Sequence, residues 1–568
     1  MIEKVKSELK KELDLKLHEK YGTDIQVIVE EPKKVSLGDI SVPVFQIVKV
    51  VRKPLPDVVN EVISLIQNST YHNHFEAVEA MGGFINIKLN KVSISKEIIQ
   101  MFDESSTKPA SLIGEGKTIC MDYSSPNIAK PFSIGHLRST IIGHAIGNLL
   151  EKCSYKVVRI NHLGDFGTQF GKIIYAYLNY GDPEVVKKNP VEELVKLYVE
   201  FHELAKENPA LEDEARKIFK ELEQKNPTYQ ALWTWMREES LKDYMKIYDL
   251  LGVSFDSYNG EAFYNDLMQP VIDELISKGL LKEDEGAMIV DLGETMPPAL
   301  IQKTDGSTLY MTRDLAALFY RKDNYSFDKM LYVVGNEQKL HFEQIKKVID
   351  KMGYDFSENV IHVNFGLVLQ DGKKMSTRKG KIVKLEDVLN EAIELSYDHI
   401  LEKNPNLENK EEIAKKIGVS AIIFNDLKNY RSNDFEFNLD EMTNFSGQTG
   451  PYLQYTSVRI TSILNSVDGT NNRDLDYNVY LEETAFEMLK QISIFDEIIE
   501  KSALEYAPSI LAKYLLNLAS LFNSYYGKEK INVEDTKERN AKLKVLQMVR
   551  EVLNTGMSLL GMSLLEKM

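Results

Sequence analysis

The chain carries the same short pattern twice: an apolar run of strand length, an amphipathic helix, then a second apolar run. This repeat limits its possible folds more than any other feature. In the first copy Lys117 to Tyr123 reads as a strand and Lys156-Val157-Val158-Arg159-Ile160 as another. Between them Ile142, Ala145, Ile146, Leu149 and Leu150 trace one face of a helix over Gly135 to Lys152. In the second copy Met330 to Val334 is the strand, Glu337 to Met352 the helix and Val360 to Phe365 the closing strand. A helix between two strands is the connection that parallel pairing requires. Two such units predict an α/β fold with a doubly wound parallel sheet, whose ligands sit outside the carboxyl ends of the strands.

At 568 residues the chain exceeds what one core serves. Residues 1–110 read as an N-terminal α+β domain, with Ile2, Val5 and Leu9 on one helical face and a polar break at Glu104-Ser105-Ser106-Thr107-Lys108-Pro109. The Rossmann-like sheet domain then takes 111–385, with a helical insertion over about 180–290 in which Leu194, Leu197, Tyr198, Phe201 and Leu204 keep helical spacing. A helical connecting segment over 386–450 leads to a C-terminal α-helical bundle over 451–568, where Ile510, Leu511, Tyr514, Leu515, Leu518 and Leu521 form one apolar face. No run approaches the roughly 18 apolar residues of a membrane helix, and the start lacks the apolar core of a secretion signal, so the expected place is the cytoplasm, away from membranes. Cys120 and Cys153 are the only cysteines, too few for a disulfide framework or a four-cysteine zinc site, and no metal site on side chains is expected. The net charge of −17 disfavours bulk attraction to nucleic acid, but local basic patches suffice to grip a folded RNA, so the partner stays open.

One phosphate-binding candidate fails. Gly114-Glu115-Gly116-Lys117-Thr118 looks like the end of a P-loop, yet Ser111 stands where glycine is needed and the strand follows the loop instead of preceding it. More informative is Asp122-Tyr123-Ser124-Ser125-Pro126-Asn127-Ile128-Ala129-Lys130-Pro131-Phe132-Ser133-Ile134-Gly135-His136, which runs from strand into helix. A helix start offers free amides, Gly135 lets a phosphate approach, and His136 and Lys130 carry donors for anionic charge. In isolation an ordinary strand-to-helix loop would look the same. Lys374 follows 238 residues after His136, in Asp371-Gly372-Lys373-Lys374-Met375-Ser376-Thr377-Arg378-Lys379-Gly380-Lys381. There five cations in nine residues can meet a triphosphate, although a basic surface turn would also fit.

Taken together, the two stretches resemble the paired signatures of class I aminoacyl-tRNA synthetases, His-x-Gly-His early in the nucleotide fold and Lys-Met-Ser-Lys after its second half. The run Ser124 to Phe132 before the first signature is similar to the arginine-specific family. Asn161 to Gly171, Tyr310 to Leu315, Gln338 with His341 and Gln344, Thr449 to Tyr455 with Arg459, and Gly83-Phe84-Ile85-Asn86-Ile87 extend the resemblance over nearly the whole chain.

The resemblance implies attack of the L-arginine carboxylate on the ATP α-phosphorus, release of pyrophosphate, and transfer of arginine to a terminal ribose hydroxyl of tRNA(Arg). No protein nucleophile is needed, so catalysis is positioning and charge stabilisation, with Mg2+ sharing the phosphate charge. The chain is expected to act as a monomer, with activation generally requiring the tRNA. By the same resemblance Ser133, Gly135, His136, Gly164, Asp165, Lys374 and Met375 bind ATP, and a mobile loop closes Lys374 and Ser376 over the leaving pyrophosphate. Two positions depart from the general pattern. Ser133 replaces the first histidine and cannot carry imidazolium charge, and Thr377 replaces the second lysine, a cation that Lys130 supplies in the arginine family.

Arginine's planar guanidinium wants fixed carboxylates in bidentate reach and aromatic walls. Tyr310, Asp314 and Gln338 suit that pocket, while Asp122, Ser124 and Asn127 hold the amino-acid end. Asp314 would equally serve as a helix-start cap. The family's helical tail reads the anticodon and its N-terminal domain meets the tRNA elbow. From residue 451 on, thirteen Lys and Arg stand against sixteen Asp and Glu, a net of −3, so tRNA contact must rest on discrete hydrogen bonds and stacking. Tyr452, Gln454, Tyr455 and Arg459 are the candidates, with core packing the alternative for the aromatic pair. Two rival readings are a relative that activates another amino acid without charging tRNA and a non-catalytic RNA-binding protein. The intact tail speaks against the first, and the presence of Lys130, His136 and Lys374 against the second.

Overall fold

The computed structural model describes the chain apart from residues 33, 35, 36, 106, 107, 129, 304–309, 376, 379, 380 and 468–473, and apart from the side chains of 105, 377, 378, 381 and 382. The N-terminal segment folds as helices α1 (Ile2–Tyr21), α2 (Phe45–Val51), α3 (Leu55–Gln67) and α4 (Lys91–Ser105) with an antiparallel sheet of β1 (Ile40–Pro43), β2 (Phe75–Met81) and β3 (Phe84–Leu89) in the order β1-β3-β2. Val5, Leu9, Leu13 and Leu17 recur every fourth residue along α1 and are all buried, and Gly22, at φ 64°, closes the helix in the left-handed conformation that only glycine adopts at little cost.

The repeated pattern forms a four-stranded parallel sheet. Its strands are β4 (Thr118–Asp122) and β5 (Lys156–Ile160), joined by α5 (Leu137–Lys152), then an insertion and the later strands. The insertion holds α6 (Thr168–Tyr180), α7 (Pro183–Lys188), α8 (Pro190–Glu207), α9 (Ala210–Glu223), α10 (Pro227–Leu251) and α11 (Met268–Ser277). It is not helical to its end: β6 (Leu281–Asp284), β7 (Ala287–Val290) and β8 (Ala299–Gln302) form an antiparallel sheet. Glu285 and Gly286 turn the first of these hairpins at φ 49° and 83°, a geometry that helical periodicity does not encode. The chain then runs through α12 (Tyr310–Tyr325), β9 (Lys329–Tyr332), α13 (Lys339–Met352) and β10 (Val360–His362). The last strand ends at 362 rather than 365.

Strand order is β10-β9-β4-β5, so the winding direction reverses between β4 and β9, and the crevice beyond Asp122 and Tyr332 is the switch point where ligands of such sheets bind. Cys120, Val158, Ile160, Met330 and Tyr332 of the sheet pack with Leu315, Leu318, Ile345, Val348 and Ile349 of α12 and α13 in one core. After the sheet come β11 (Val368–Gln370) and β12 (Lys373–Lys374), an antiparallel hairpin, then α14 (Leu385–Lys403), α15 (Lys410–Leu427), α16 (Leu439–Met442), α17 (Gly450–Asn465), α18 (Glu483–Ser493), α19 (Phe495–Leu504), α20 (Pro508–Lys528) and α21 (Thr536–Leu559).

By internal contact the molecule divides into two units: residues 1–109 with 456–498 and 514–555, and residues 110–455 with 499–513 and 556–568. In the first, Lys544 is 3% exposed, and its buried charge is matched by Asp103, 2.6 Å from Nζ. The second contains the parallel sheet. Among the described residues no helix is long and apolar enough to cross a membrane.

Candidate active site

The loop leaving β4 is strained. Ser124 and Ser125 both adopt positive φ, 72° and 46°, which costs on the order of 1–3 kcal/mol each for a residue with a Cβ. A network holds them there. Ser124 N–H donates to Ser139 Oγ at 2.8 Å, Ser139 Oγ donates to the Val333 carbonyl at 2.7 Å, and Ser124 Oγ shares hydrogen bonds with Tyr248 Oη and Thr140 Oγ1, each at 2.8 Å. The loop is thus bolted to both α5 and β9. A cleft opens above it, lined by Ser124, Ser125, Gly135, His136 and Ser139 on one side and by Gly335, Glu337, Phe365, Lys374 and Met375 on the other. His136 and Lys374, 238 residues apart in sequence, therefore line the same crevice at the switch point.

Ser133 is the N-cap of the 3-10 turn that carries His136, and its backbone N–H donates to His136 Nδ1 at 3.1 Å. That bond fills the Nδ1 lone pair and leaves the proton of a neutral ring on Nε2. Burial, with the Lys130 charge adding to it, pushes the His136 pKa down to about 4, so the ring is a neutral donor at physiological pH. Lys130 itself is exposed, and its loop is held by Tyr244 Oη, which donates to the carbonyls of Asn127 and Lys130 at 2.7 Å each. Lys374 is exposed on β12, and Met375 beside it is buried, with its N–H donating to the Val368 carbonyl at 2.8 Å. Beyond that hairpin the chain returns to the first signature: Ile134 N–H donates to Val383 O at 3.0 Å and Leu385 N–H to Phe132 O at 2.9 Å. Ser376 lies outside the described residues.

Other sequence candidates land elsewhere. Gly164 sits against Asn127, where a Cβ would strike the Asn127 side chain, and it exchanges backbone bonds with Pro126 and Ile128 at 3.0 Å. Its place is under the signature loop. Asp165 requires correction as an ATP ligand: it is 1% exposed, and its carboxylate accepts from Arg237 Nε at 2.7 Å and Ala262 N–H at 2.9 Å. Its oxygens are satisfied inside the insertion, away from the cleft. Asp122 is buried, with one oxygen paired to Arg321 at 2.8 Å and the other accepting from Ser125 Oγ at 2.8 Å. Ser124's hydroxyl is likewise spent on Tyr248 and Thr140, whereas Asn127 is exposed at the loop.

Asp314 is the fifth residue of α12 and so not the helix cap. Among the described residues its carboxylate meets His341, whose Nε2 lies 2.6 Å from its Oδ2, and Tyr310 stands exposed one turn earlier. Burial raises the Asp314 carboxyl, but the His341 hydrogen bond and the charges of His341, His162 and Arg321 outweigh it and hold its pKa below the ordinary carboxylate value. Gln338 is exposed at the start of α13. Sequence reasoning missed Arg321, buried between the rings of Tyr264 and Tyr332 with Nη2 donating to His162 Nδ1 at 3.0 Å. Its spacing of seven from Asp314 was the available signal, since positions seven apart share a helix face. It also missed Glu261, whose carboxyl is pushed up to about 7 by burial and by Asp314 and Asp165 against the pull of Arg313, an ion-pair partner at 3.4 Å.

On α17, Gln454 must be corrected as an RNA contact: it is 1% exposed and its Nε2 donates to the Ser563 carbonyl at 2.7 Å and to Ser420 Oγ at 3.2 Å. Tyr452 is half-buried, and its N–H donates to Thr449 Oγ1 at 3.2 Å. Tyr455 is exposed with its ring edge toward Phe445, and Arg459 donates to Asn523 Oδ1 at 3.0 Å and lies over the Tyr526 ring.

Comparison with known proteins agrees with this arrangement. Residues 99–439 match the family described as tRNA synthetases class I (R), catalytic domain, residues 453–568 the DALR anticodon binding domain, and residues 2–89 the arginyl tRNA synthetase N terminal domain. The arginine–tRNA ligase of Exiguobacterium sibiricum is 48% identical over 548 residues, covering 96% of each chain, and that of Enterococcus faecalis is 48% identical over 546 residues, again 96% of each. Among solved structures, the Plasmodium falciparum arginyl-tRNA synthetase superposes with a TM-score of 0.78 at 27% identity over 100% of this chain and 99% of that one. The Thermus thermophilus arginyl-tRNA synthetase, at 22% identity, TM-score 0.80 and coverage of 99% and 100%, shares the fold. With a helix-start signature and a basic hairpin meeting at the switch point of a parallel sheet, and with all three domains matched in order, the chain belongs to the arginyl-tRNA synthetase family of class I tRNA synthetases.

Proposed function

We propose that the chain is an arginine–tRNA ligase that binds ATP in the cleft between His136 and Lys374 and L-arginine beside Asp314. Family membership makes it an ATP-dependent aminoacyl-tRNA ligase, and the observation that carries the residue-level reading is the convergence of His136 and Lys374 on one crevice. The arginine carboxylate attacks the α-phosphorus, the bond to the β-phosphate oxygen breaks, and pyrophosphate leaves. A terminal ribose hydroxyl of tRNA(Arg) then attacks the adenylate carbonyl and releases AMP.

Neutral His136 donates from Nε2 to a phosphate or ribose oxygen, Gly135 leaves room for close approach, and Lys130 and Lys374 stabilise charge growing on the leaving group. Asp314 takes the guanidinium, with Tyr310 and Gln338 at the pocket edge. Among the described residues no group of three or more His, Cys, Asp or Glu could hold a metal, and Glu337 is the one carboxylate among those that line the cleft. Mg2+ belongs to the MgATP substrate. Tyr452, Tyr455 and Arg459 are the tRNA-facing candidates. We place the reaction in the cytoplasm, carried out by a monomer.

The test is ATP–pyrophosphate exchange by the full chain with each amino acid, with and without tRNA(Arg). Exchange that depends on arginine when tRNA is present supports the reading. Absence of exchange under those conditions, or equal exchange with lysine, overturns it.

A further inference from the structure

The hairpin that carries Lys374 does not belong to the parallel sheet. β11 pairs instead with Phe435–Glu436, Val368 standing opposite Phe435, and two loop bonds reinforce the pairing: Leu367 N–H to Asp434 Oδ1 at 2.6 Å and Gly366 N–H to Arg431 O at 3.0 Å. Gly366 has no room for a side chain, since a Cβ would lie 2.7 Å from the Asn433 backbone. The height of Lys374 above the cleft thus depends on what holds residues 433–436 in place.

One side chain of the first signature helix does so. Arg138, two residues beyond His136, is 1% exposed; its Nε donates to both carboxylate oxygens of Asp426 on α15 at 3.0 and 3.3 Å. Its Nη1 donates to the Asn433 carbonyl at 2.9 Å, and the guanidinium lies 5.1 Å from the Phe435 ring centre and 5.8 Å from that of Phe365. We propose that Arg138, anchored by Asp426, is a positioning residue that sets Lys374 relative to His136 through the 433–436 segment. A planar guanidinium can fix a carboxylate, a carbonyl and a ring face at once, which an ammonium cannot. A buried ion pair is also a poor source of net stability compared with apolar packing, so stability alone gives little reason for a charge pair here.

The proposal rests on the ligase reading, and its test separates the two. In the full chain, arginine-dependent pyrophosphate exchange with tRNA present is measured for Asp426→Asn, Arg138→Lys and Phe435→Leu, each alone and combined with Lys374→Ala or with Lys130→Ala. Each single change should lower kcat by about 10- to 100-fold while the arginine KM stays within about twofold, and most of that loss should vanish in the Lys374→Ala background, because residues acting as one unit are not additive. In the Lys130→Ala background the full factor should persist. Phe435→Leu leaves the ion pair intact and decides the matter if the other two do not fold. Losses that multiply fully with Lys374→Ala overturn the brace and leave the ligase reading standing, whereas an unaltered chain with no exchange overturns the ligase reading itself.

Discussion

Asp122 meets a guanidinium of its own chain, whereas Asp314 meets an imidazole, and on the proposed reading that difference leaves Asp314 to the substrate guanidinium. Asp314→Asn keeps the hydrogen-bonding shape and removes the charge. Losing a charge-assisted bond of about 2–3 kcal/mol should raise the arginine KM by roughly 30- to 150-fold and leave the ATP KM within about twofold. Steady-state exchange kinetics over both substrates checks this, and parallel movement of the two constants would remove Asp314 from the guanidinium pocket. At this scale the family resemblance pairs His136 with Lys374, and the structure sets both along one cleft, with Tyr310 one turn before Asp314 on α12. What was not legible is whether a polar side chain faces a ligand or the protein's own interior. Asp165 and Gln454 have the residue types of a binding site and are consumed by Arg237, Ala262, Ser420 and Ser563.

The loop 124–136 and the hairpin 368–374 carry the residues of the proposed site, and each is held by a part of the chain remote in sequence. Tyr244, on α10 of the insertion, supplies the bond that keeps the Lys130 segment in place. Tyr244→Phe removes only an oxygen; it should cost about 1–2 kcal/mol of stability and slow adenylate formation by roughly tenfold through looser placement of Lys130. Calorimetry and exchange kinetics read the two effects, and a stability loss with unchanged kcat would show that the loop needs no such tether. The helices and the four parallel strands could be read from periodicity, because each buries a continuous face. The pairing of β11 with Phe435–Glu436 could not: it joins residues 67 apart through strands of three and two residues, too short to carry a pattern. The antiparallel β6–β8 sheet escaped notice for a similar reason, four-residue strands being shorter than a helical repeat can exclude.

For the molecule as a whole, two half-buried histidines set an acid limit. His136 and His144 both fall from an ordinary 6.5 to about 4, each chiefly through burial. The unfolded chain therefore takes up protons first, and stability present above about 6.5 is lost as the pH falls toward about 4. Glu261 works in the opposite direction: its carboxyl, raised from 4.5 to about 7, contributes stability at low pH that is lost as the pH rises through about 7. Urea unfolding between pH 4 and 8 should accordingly show a steeper acid loss in Glu261→Gln than in the unaltered chain when each is compared with its own value at pH 8, and identical profiles would contradict the Glu261 assignment. Changes of hydrophobic period divide the sequence into a linear series of segments, whereas the compact units are built otherwise: residues 456–498 and 514–555 cluster with 1–109, which no linear reading of composition anticipates.

The salt bridge between Arg321 and Asp122 has a practical consequence for small-molecule design. With one acidic group at the sheet edge already neutralised from within, the proposed pocket asks a competitive inhibitor for a positive head at Asp314. On that reading a second cation aimed at Asp122 would gain no free counterion and would bear its hydration cost without return.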